Sequence, residues 1–402
     1  MPEFHKVSEQ WKRLQAAIED AAEAIFADPR IDSPLLRAEA TRYVMRLVQF
    51  AREAEVEIHD TDFPQLVKLE SPYLQWGLPN PDYLYWYAHV HGGHRYRIHG
   101  RRGGCRMFTV ETWSGDWSRI GEQKVLDCKT HVSDGSGELT LGPGGSLDIV
   151  LSRDPQPGNW LPLGDGISTV LIRECFYDWE NEAHGQLYIE REGATYPAPP
   201  VTAAALEAHL EEMITFMADA PRRLIKGVDL HYNAPPDRYH FPGLDGAIGT
   251  ETGFPKQFYG RTHYRLGPDE ALIIEGEPPE CAFWSFMIGS PFWECGDWHL
   301  RSMSVNAHQA TMDADGKFRC VVAHRDPGVP NWLDTGGHDH GTLTCRWNRL
   351  KVAKIPPVPA LRKVGFGEVL EQLPRNTPRI TPEERSEVLR RRMLSIRRRR
   401  AD

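Results

Sequence analysis

The sequence has 402 residues and a formal net charge of −9, with 40% hydrophobic and 26% charged residues. This composition is that of a soluble globular protein, and the length allows two or three domains. No run of about 18 apolar residues is present and the N-terminal residues lack the apolar core of a signal peptide, so we expect no membrane span and a cytoplasmic protein.

Two amphipathic helices are predicted between residues 4 and 58. The first contains Trp11 in its apolar stripe and ends near Pro29. The second begins after Ser33, whose side chain can cap a helix, and has Pro34 at its first position.

The hydrophobic period then changes to that of β-strands. Residues 83–100, YLYWYAHVHGGHRYRIHG, predict a β-hairpin with Gly92 and Gly93 in the turn, so His91 would pair with His94. Further strands are predicted in CRMFTVETW, SLDIVLS and STVLIRECFYDW.

The second half of the chain begins with a helix predicted within residues 197–228, capped by Thr202. Strands resume at residue 257 and run to about residue 352. A final basic helix opens with Thr381 and Glu384 as a capping box.

An internal repeat connects the two β regions. Residues 153–161, RDPQPGNWL, and residues 325–333, RDPGVPNWL, agree at six of nine positions. The strand pair from residue 94, HRYRIHGRRGGCRMFTVETW, also matches EALIIEGEPPECAFWSFMIG from residue 270. The near-constant offset favours duplication of a β module, although chance agreement between common β patterns is the alternative.

The predicted fold is therefore mainly β. It consists of two tandem jelly-roll-like β sandwiches with an N-terminal helical pair and a connecting helix. The predicted division is an N-terminal helical region (1–75), a first β sandwich (76–200), a connecting helix (201–228), a second β sandwich (229–352), and a proline-rich exit with a basic C-terminal helix (353–402).

Three segments also resemble a known family: NPDYLYWYAHVHGGHRYRIHGRRG, the helix pair before it, and the late block around PNWLDTGGH. They are similar to bacterial proteins that carry the domain of unknown function 1214, which often accompanies a β domain numbered 1254. The resemblance implies a jelly-roll-like sandwich and transfers no catalytic residue. This chain departs from the expected pattern in its extra histidines near the predicted hairpin turn and in GGHDHG.

Histidines supply the first group of candidate functional residues. Imidazoles at close spacing can bind a divalent transition metal, and the alternative is a set of exposed polar side chains at turns. The candidate metal ligands are His89, His91, His94, His338 and His340.

Carboxylates beside aromatic residues supply the second group. A carboxyl buried near tryptophan can act as a general acid with a second carboxylate as base, although charged residues on sandwich strands commonly face solvent. The candidate catalytic residues are Glu174, Asp178, Glu111 and Glu275. The candidate substrate-binding residues are Trp160, Trp179, Trp332, Arg173, Arg346 and Tyr177. For Trp160 and Trp332, a structural role at the end of a sandwich is the alternative.

The loop 229–246 is a third candidate, because it is dense in His231, Tyr232, Asp237 and other polar residues, although it also fits a plain interdomain connection. GxSxG, P-loop, dinucleotide-binding GxGxxG and HExxH motifs are absent. The seven cysteines show no CxxC spacing and are expected to be free thiols.

Three functions remain open from the sequence. The first is an enzyme, such as a hydrolase or lyase, acting on a carbohydrate or related polar small molecule in an aromatic cleft between the sandwiches. The second is a histidine-ligated metal enzyme, and the third is a non-catalytic ligand-binding or assembly protein. The arginine-rich C-terminal helix is expected to dock within a homo-oligomer, with nucleic acid or anionic lipid as alternative partners. The acidic body argues against a broader nucleic-acid surface.

Overall fold

The computed structural model describes residues 9–236, 239, 257–351 and 358–400. Its α-helices are α1 (Glu9–Phe26), α2 (Pro34–Ala51), α3 (Ala203–Gly227), α4 (Asp229–Tyr232), α5 (Val369–Gln372) and α6 (Pro382–Arg400), and a π-helical turn (Arg52–Glu57) follows α2. The strands of the first half are β1 (Tyr83–His91), β2 (Tyr96–Arg101), β3 (Met107–Ser114), β4 (Lys124–Val132), β5 (Ser146–Ser152), β6 (Trp160–Pro162), β7 (Ile167–Cys175) and β8 (Gln186–Arg191). Those of the second half are β9 (Gln257–Arg265), β10 (Glu270–Gly276), β11 (Cys281–Gly289), β12 (Ser304–Asn306), β13 (Phe318–Ala323), β14 (Trp332–Asp334), β15 (His340–Leu350) and β16 (Ala360–Gly365).

The sixteen strands of the described residues form four sheets of four strands each. The first half contributes the orders β1-β7-β3-β4 and β6-β5-β2-β8, and the second contributes β9-β15-β11-β12 and β14-β13-β10-β16. Each strand of one half thus has an equivalent in the same place of the other half, as a duplication requires. The predicted mainly β fold, the N-terminal helical pair and the connecting helix are confirmed.

The repeated NWL motif ties neighbouring strands together in the same way in both halves. The amide group of Asn331 donates to the carbonyls of Thr311 and Arg319 and accepts from the Thr311 N–H. Asn159 makes the three equivalent bonds with Thr140 and Asp148. These contacts are those of a structural side chain.

The two asparagines offer a matched test of this role. Asn331 is only 5% exposed whereas Asn159 is half-buried, so water can replace the lost bonds at Asn159 alone. We expect Asn331→Ala to lower the free energy of unfolding by about 2–4 kcal/mol and Asn159→Ala by about 1 kcal/mol. Urea denaturation of both variants measures the difference, and equal losses would contradict this account.

The predicted hairpin at residues 83–100 is wrong. β1 pairs with β7, whereas β2 pairs with β5 and β8 in the opposite sheet, so Gly92 and Gly93 cross from one sheet to the other. The alternation of apolar residues fits either arrangement, because β1 is buried on both faces. Sequence alternation therefore identified the strands and not their partners.

The two faces of β1 belong to different cores. Leu84, Trp86, Ala88 and Val90 lie in the core shared by the two sandwiches. The alternate residues Tyr83, Tyr85 and Tyr87 lie in a second core built with α1, α2 and α3. The helices of this second core cover the junction between the two sandwiches. Ser33 and Thr202 cap α2 and α3, as predicted.

The arginine-rich helix α6 lies on its own chain. The predicted capping box is confirmed, since Thr381 and Glu384 exchange backbone-to-side-chain bonds of 2.8 and 3.2 Å. Its arginines donate to backbone carbonyls of the body: Arg385 to Pro330, Arg392 to Trp298, Arg398 to Trp179, Arg399 to Pro81 and Arg400 to Glu70. The structure thus shows α6 docked on its own chain, and the expected docking within a homo-oligomer stays a prediction.

Within the described residues, every helix is too short or too polar to cross a bilayer.

Candidate functional site

A cavity of about 360 Å³ lies where the two sandwiches meet beneath the helical layer. Strands β1, β3 and β7 of the first sandwich and β9 and β15 of the second form its walls, and α3 and α4 close one side. Its aromatic lining residues are Trp76, Tyr83, Tyr85, Tyr87, Trp113, Trp117, Tyr259 and Trp293. Its charged lining residues are Glu70, Arg173, Arg261 and Arg346.

The internal repeat places two equivalent tyrosine–arginine pairs in this cavity. Tyr85 of β1 stands opposite Arg173 of β7, and Tyr259 of β9 stands opposite Arg346 of β15. The guanidinium carbons lie 5.9 Å and 5.0 Å from the centres of the respective tyrosine rings. Duplication of one β module thus brings two distant arginines to a single site.

The two equivalent arginines differ in their counter-ions. Arg173 forms an ion pair with Glu111 of β3, which also accepts a 3.0 Å bond from the Trp113 indole. The position equivalent to Glu111 on β11 is the apolar Met287. Glu111 neutralises Arg173 in the first copy, whereas the second copy has no carboxylate at the equivalent position beside Arg346.

Arg346 is consequently a buried cation without a carboxylate partner among the described residues. It is 7% exposed, its Nη2 is 3.4 Å from the Leu78 carbonyl, and its Nη1 has no hydrogen-bond partner in the described part of the chain. Arg261 is also 7% exposed, and its Nε lacks a partner in the same described ranges. Burying a guanidinium without a counter-ion is costly, and among the described residues neither group has a carboxylate partner.

The charge on Arg346 persists at neutral pH. Burial lowers its pKa, but the phenols of Tyr259, Tyr85 and Tyr83 outweigh this and hold the pKa above its usual range. Burial raises the pKa of Tyr83 and Tyr85 above that of free tyrosine, so those two rings are neutral at pH 7. The aromatic wall therefore faces a guanidinium that it does not neutralise.

Glu70 adds a titratable carboxyl to the same cavity. It is 7% exposed, its Oε1 accepts a 2.6 Å bond from the Tyr87 hydroxyl, and its Oε2 has no partner among the described residues. Burial raises the pKa of Glu70 to about 7, although the Tyr87 bond and the charges of Arg173, Arg400 and Arg346 oppose this shift. A carboxyl with this pKa can donate or accept a proton near neutral pH.

Comparison with known proteins assigns the chain to a family. The model described as "Protein of unknown function (DUF1214)" matches residues 255–349. A crystal structure of an uncharacterized protein from Burkholderia cenocepacia is 30% identical, with a TM-score of 0.79 over 89% of this chain and 97% of that chain. The chain belongs to the DUF1214 family. A protein from Vibrio parahaemolyticus is 12% identical over 88% of this chain and 100% of its own, with a TM-score of 0.47. No curated protein matches the sequence.

The matched segment of this DUF1214 protein includes half of the cavity's charged lining. Arg261 and Arg346 both lie within residues 255–349, together with Tyr259 and Trp293. The other half, with Glu70 and Arg173, comes from the first sandwich and the segment before it.

Of the four predicted catalytic carboxylates, none lines the cavity directly. Glu111 forms an ion pair with Arg173, which itself lines the cavity. Glu174 accepts hydrogen bonds from the Trp86 indole (2.8 Å) and the Gly185 N–H (2.6 Å) inside the first sandwich. Asp178 closes a turn through the Glu180 and Asn181 amides instead of continuing β7. Glu275 pairs with Arg319 at 2.7 Å on the outer sheet of the second sandwich.

Of the predicted substrate-binding residues, only Arg173 and Arg346 lie in the cavity. The Trp160 and Trp332 indoles donate to Ser152 and Ala323 next to the repeated asparagines. Trp332 also lines a smaller cavity of about 130 Å³ beneath α6, together with Asp178 and Trp179.

The two remaining aromatic candidates are bound inside the protein. The Trp179 indole donates 2.9 Å to Asp82. The Tyr177 hydroxyl accepts 2.9 Å from the Trp284 N–H. Both side chains therefore have structural partners.

The five candidate histidines do not form one site. His338 contacts Glu39 at 2.7 Å, and His340 contacts the Tyr232 hydroxyl at 2.6 Å. His91 accepts from the Gly93 N–H and His94 lies 3.4 Å from Asp62, both at the crossing between sheets. His89 is buried in a different group with Glu55 and His59.

The candidate loop 229–246 is described only in part. His231 accepts a 3.2 Å bond from the indole of Trp293, which lines the cavity. Asp237, His240 and Asp245 lie outside the described residues. The loop thus supports one wall of the cavity through His231.

The residues that the sequence analysis missed are Glu70 and Arg261. Glu70 lies in KLESPYLQW, where no periodicity or motif distinguishes it. Arg261 follows Tyr259 by two residues on β9, so the alternation of side chains along a strand could have indicated that the two share a face.

Proposed function

We propose that this DUF1214 protein binds a small organic anion in the cavity between its sandwiches and that Glu70 exchanges a proton with the bound molecule. The observation that carries the proposal is the presence of Arg346 and Arg261 in an aromatic cavity, without a carboxylate partner among the described residues. A carboxylate or phosphate group would supply the missing counter-charge, and the tyrosine and tryptophan rings would pack against a flat or apolar body.

The charge of the cavity narrows the substrate class expected from the sequence. A neutral sugar would fill the aromatic cavity but would leave the guanidinium groups without a counter-ion. Sugar acids and aromatic acids provide both the anionic group and the body. We therefore propose an acidic small molecule in place of a general carbohydrate.

The negative charge of a bound ligand would keep the Glu70 carboxyl protonated. An anion beside Glu70 disfavours the ionised carboxylate and raises its pKa further. With a pKa of about 7 before binding, Glu70 then holds its proton at neutral pH. Because Oε1 already accepts the Tyr87 bond, the proton is expected on Oε2, which has no partner among the described residues and can donate to the ligand. This supports general acid chemistry of a hydrolase or lyase type.

A binding protein without catalysis is the second candidate, because the cavity serves both roles. The two differ in what Glu70 does. If the protein only binds its ligand, Glu70→Gln should preserve the ligand affinity, and neither the wild type nor the variant should convert the ligand. If Glu70 is an acid, the same variant should bind and fail to convert the ligand.

The proposal predicts selective binding of acids over neutral molecules of the same shape. In thermal unfolding experiments, we expect benzoate or glucuronate at millimolar concentration to raise the melting temperature, and benzamide and glucose at equal concentration to leave it unchanged. Arg346→Met should remove the shift. Equal shifts from glucose and glucuronate, or from benzoate and benzamide, would contradict anion recognition.

A further inference from the structure

A second cluster of polar side chains lies outside the cavity, beneath the helical layer. Glu55 comes from the π-helical turn after α2, His59 lies just beyond that turn, and His89 lies on β1. One ligand atom from each of these three residues lies within 4.8 Å of the others. Irregular π-helical turns within helices are often found at functional sites.

The polar atoms of this cluster have few partners. Glu55 is fully buried and His89 is 1% exposed. Both ring nitrogens of His89 and Oε1 of Glu55 lack hydrogen-bond partners among the described residues, whereas Oε2 of Glu55 contacts Nδ1 of His59 at 3.4 Å. Buried polar groups of native proteins are normally paired, so a group of this size without partners points to a ligand.

We propose that Glu55, His59 and His89 bind one divalent transition-metal ion. Two imidazoles and a carboxylate are donors that suit zinc, iron, cobalt or nickel, whereas calcium and magnesium prefer all-oxygen sites. The inference does not depend on the anion-binding proposal, because it rests on different residues.

The geometry requires only a small contraction. Metal–nitrogen bonds of about 2.1 Å in a tetrahedral site place ligand atoms about 3.4 Å apart. Glu55 and His59 already meet this distance, and His89 has to approach within the 4.8 Å limit by side-chain rotation.

His209 and Asp116 lie close to the three proposed ligands. The ring of His209 on α3 lies 4.9 Å from that of His59. His209 has a hydrogen bond to the Val56 backbone, and its Nδ1 has no partner among the described residues. Asp116 is buried nearby and its negative charge favours a cation at His89.

We propose no metal site at the other group of possible ligands, which consists of Asp32, Asp339 and His340. Its two carboxylates are exposed, and His340 Nδ1 is already bonded to the Tyr232 hydroxyl. It therefore provides a comparison site of similar composition for the experiment.

The test titrates the full chain, stripped of metal with a chelator, with Zn²⁺ and separately with Co²⁺. We expect one tightly bound ion per chain, visible absorption from the cobalt form, and an affinity at least about 100-fold weaker in His89→Gln and in Glu55→Gln. His91→Gln, on the same strand, and His340→Gln are matched controls that should bind as the wild type does.

Two results would overturn the proposal. One is a wild-type chain that binds neither ion stoichiometrically, which decides the matter even if the buried variants fold poorly. The other is a bound ion that His89→Gln and Glu55→Gln both retain, or that His91→Gln or His340→Gln loses. Circular dichroism of each variant establishes that the compared chains are folded.

Discussion

Arg346→Met is expected to leave the ligand-free protein at least as stable as the wild type and to weaken anion binding by at least about 100-fold. Methionine has a similar volume and removes a buried charge that has no carboxylate partner among the described residues. The lost cation–π contacts with Tyr259 and Tyr83 offset part of this gain. The bound anion, by contrast, loses a charge-assisted hydrogen bond in a desolvated site, which costs about 3 kcal/mol or more.

The equivalent substitution in the first copy provides the control. Arg173→Met leaves the Glu111 carboxylate buried without its ion-pair partner. We therefore expect Arg173→Met to lower the free energy of unfolding by about 3–5 kcal/mol.

Urea denaturation of the three proteins measures the stabilities, and calorimetric titration with benzoate measures the binding. A similar loss of stability in both variants would show that Arg346 has a counter-ion after all. Unchanged benzoate affinity in Arg346→Met would remove Arg346 from the site.

Glu70→Gln is expected to stabilise the protein at alkaline pH and not at acidic pH. The folded-state pKa of Glu70, about 7, lies above the ordinary value of 4.5, so the folded state binds its proton more tightly than the unfolded state does. The stability of the wild type therefore falls as the pH rises from about 4.5 through 7, and the penalty is complete above that range. One pKa unit corresponds to about 1.4 kcal/mol, so the Glu70→Gln substitution should add about 3 kcal/mol at pH 8.5 and little at pH 4.5.

Unfolding in urea at both pH values measures this effect. Glu277→Gln, which replaces an exposed carboxyl, is the matched control. The other buried carboxyls contribute equally to all three proteins and cancel in the comparison. A loss of stability in Glu70→Gln at pH 8.5 would mean that the carboxylate is satisfied in the folded protein.

The fold could be predicted largely from local patterns. Helical periodicity with Ser33, Thr202 and the Thr381–Glu384 box identified three helix starts, because capping is a short-range interaction. The repeat identified the duplicated sandwich, since equivalent strands keep equivalent residues such as Asn159 and Asn331.

Strand partners could not be predicted in the same way. The GG dipeptide at Gly92 and Gly93 suits a two-residue hairpin turn, but the chain there crosses to the opposite sheet. Both arrangements bury the same apolar residues, and only long-range packing decides between them.

The candidate site was predicted in part. Arg173 and Arg346 were predicted to bind substrate, and the structure places both in one cavity. The carboxylates were selected for their aromatic neighbours in sequence, and this signal led to structural residues such as Glu174. Glu70 and Glu55 come from irregular segments before β1, where only the three-dimensional structure shows what they face.

The most direct test of the anion site is a crystal of the full chain soaked with 4-iodobenzoate, and a second crystal soaked with 4-iodobenzamide. The iodine gives an anomalous signal that locates either molecule without ambiguity. Anion recognition predicts the benzoate between the sandwiches, with its carboxylate within hydrogen-bond distance of Arg346 Nη1 or Arg261 Nε, and no bound benzamide. Benzamide in the same place at the same occupancy, or benzoate bound only elsewhere, would contradict it.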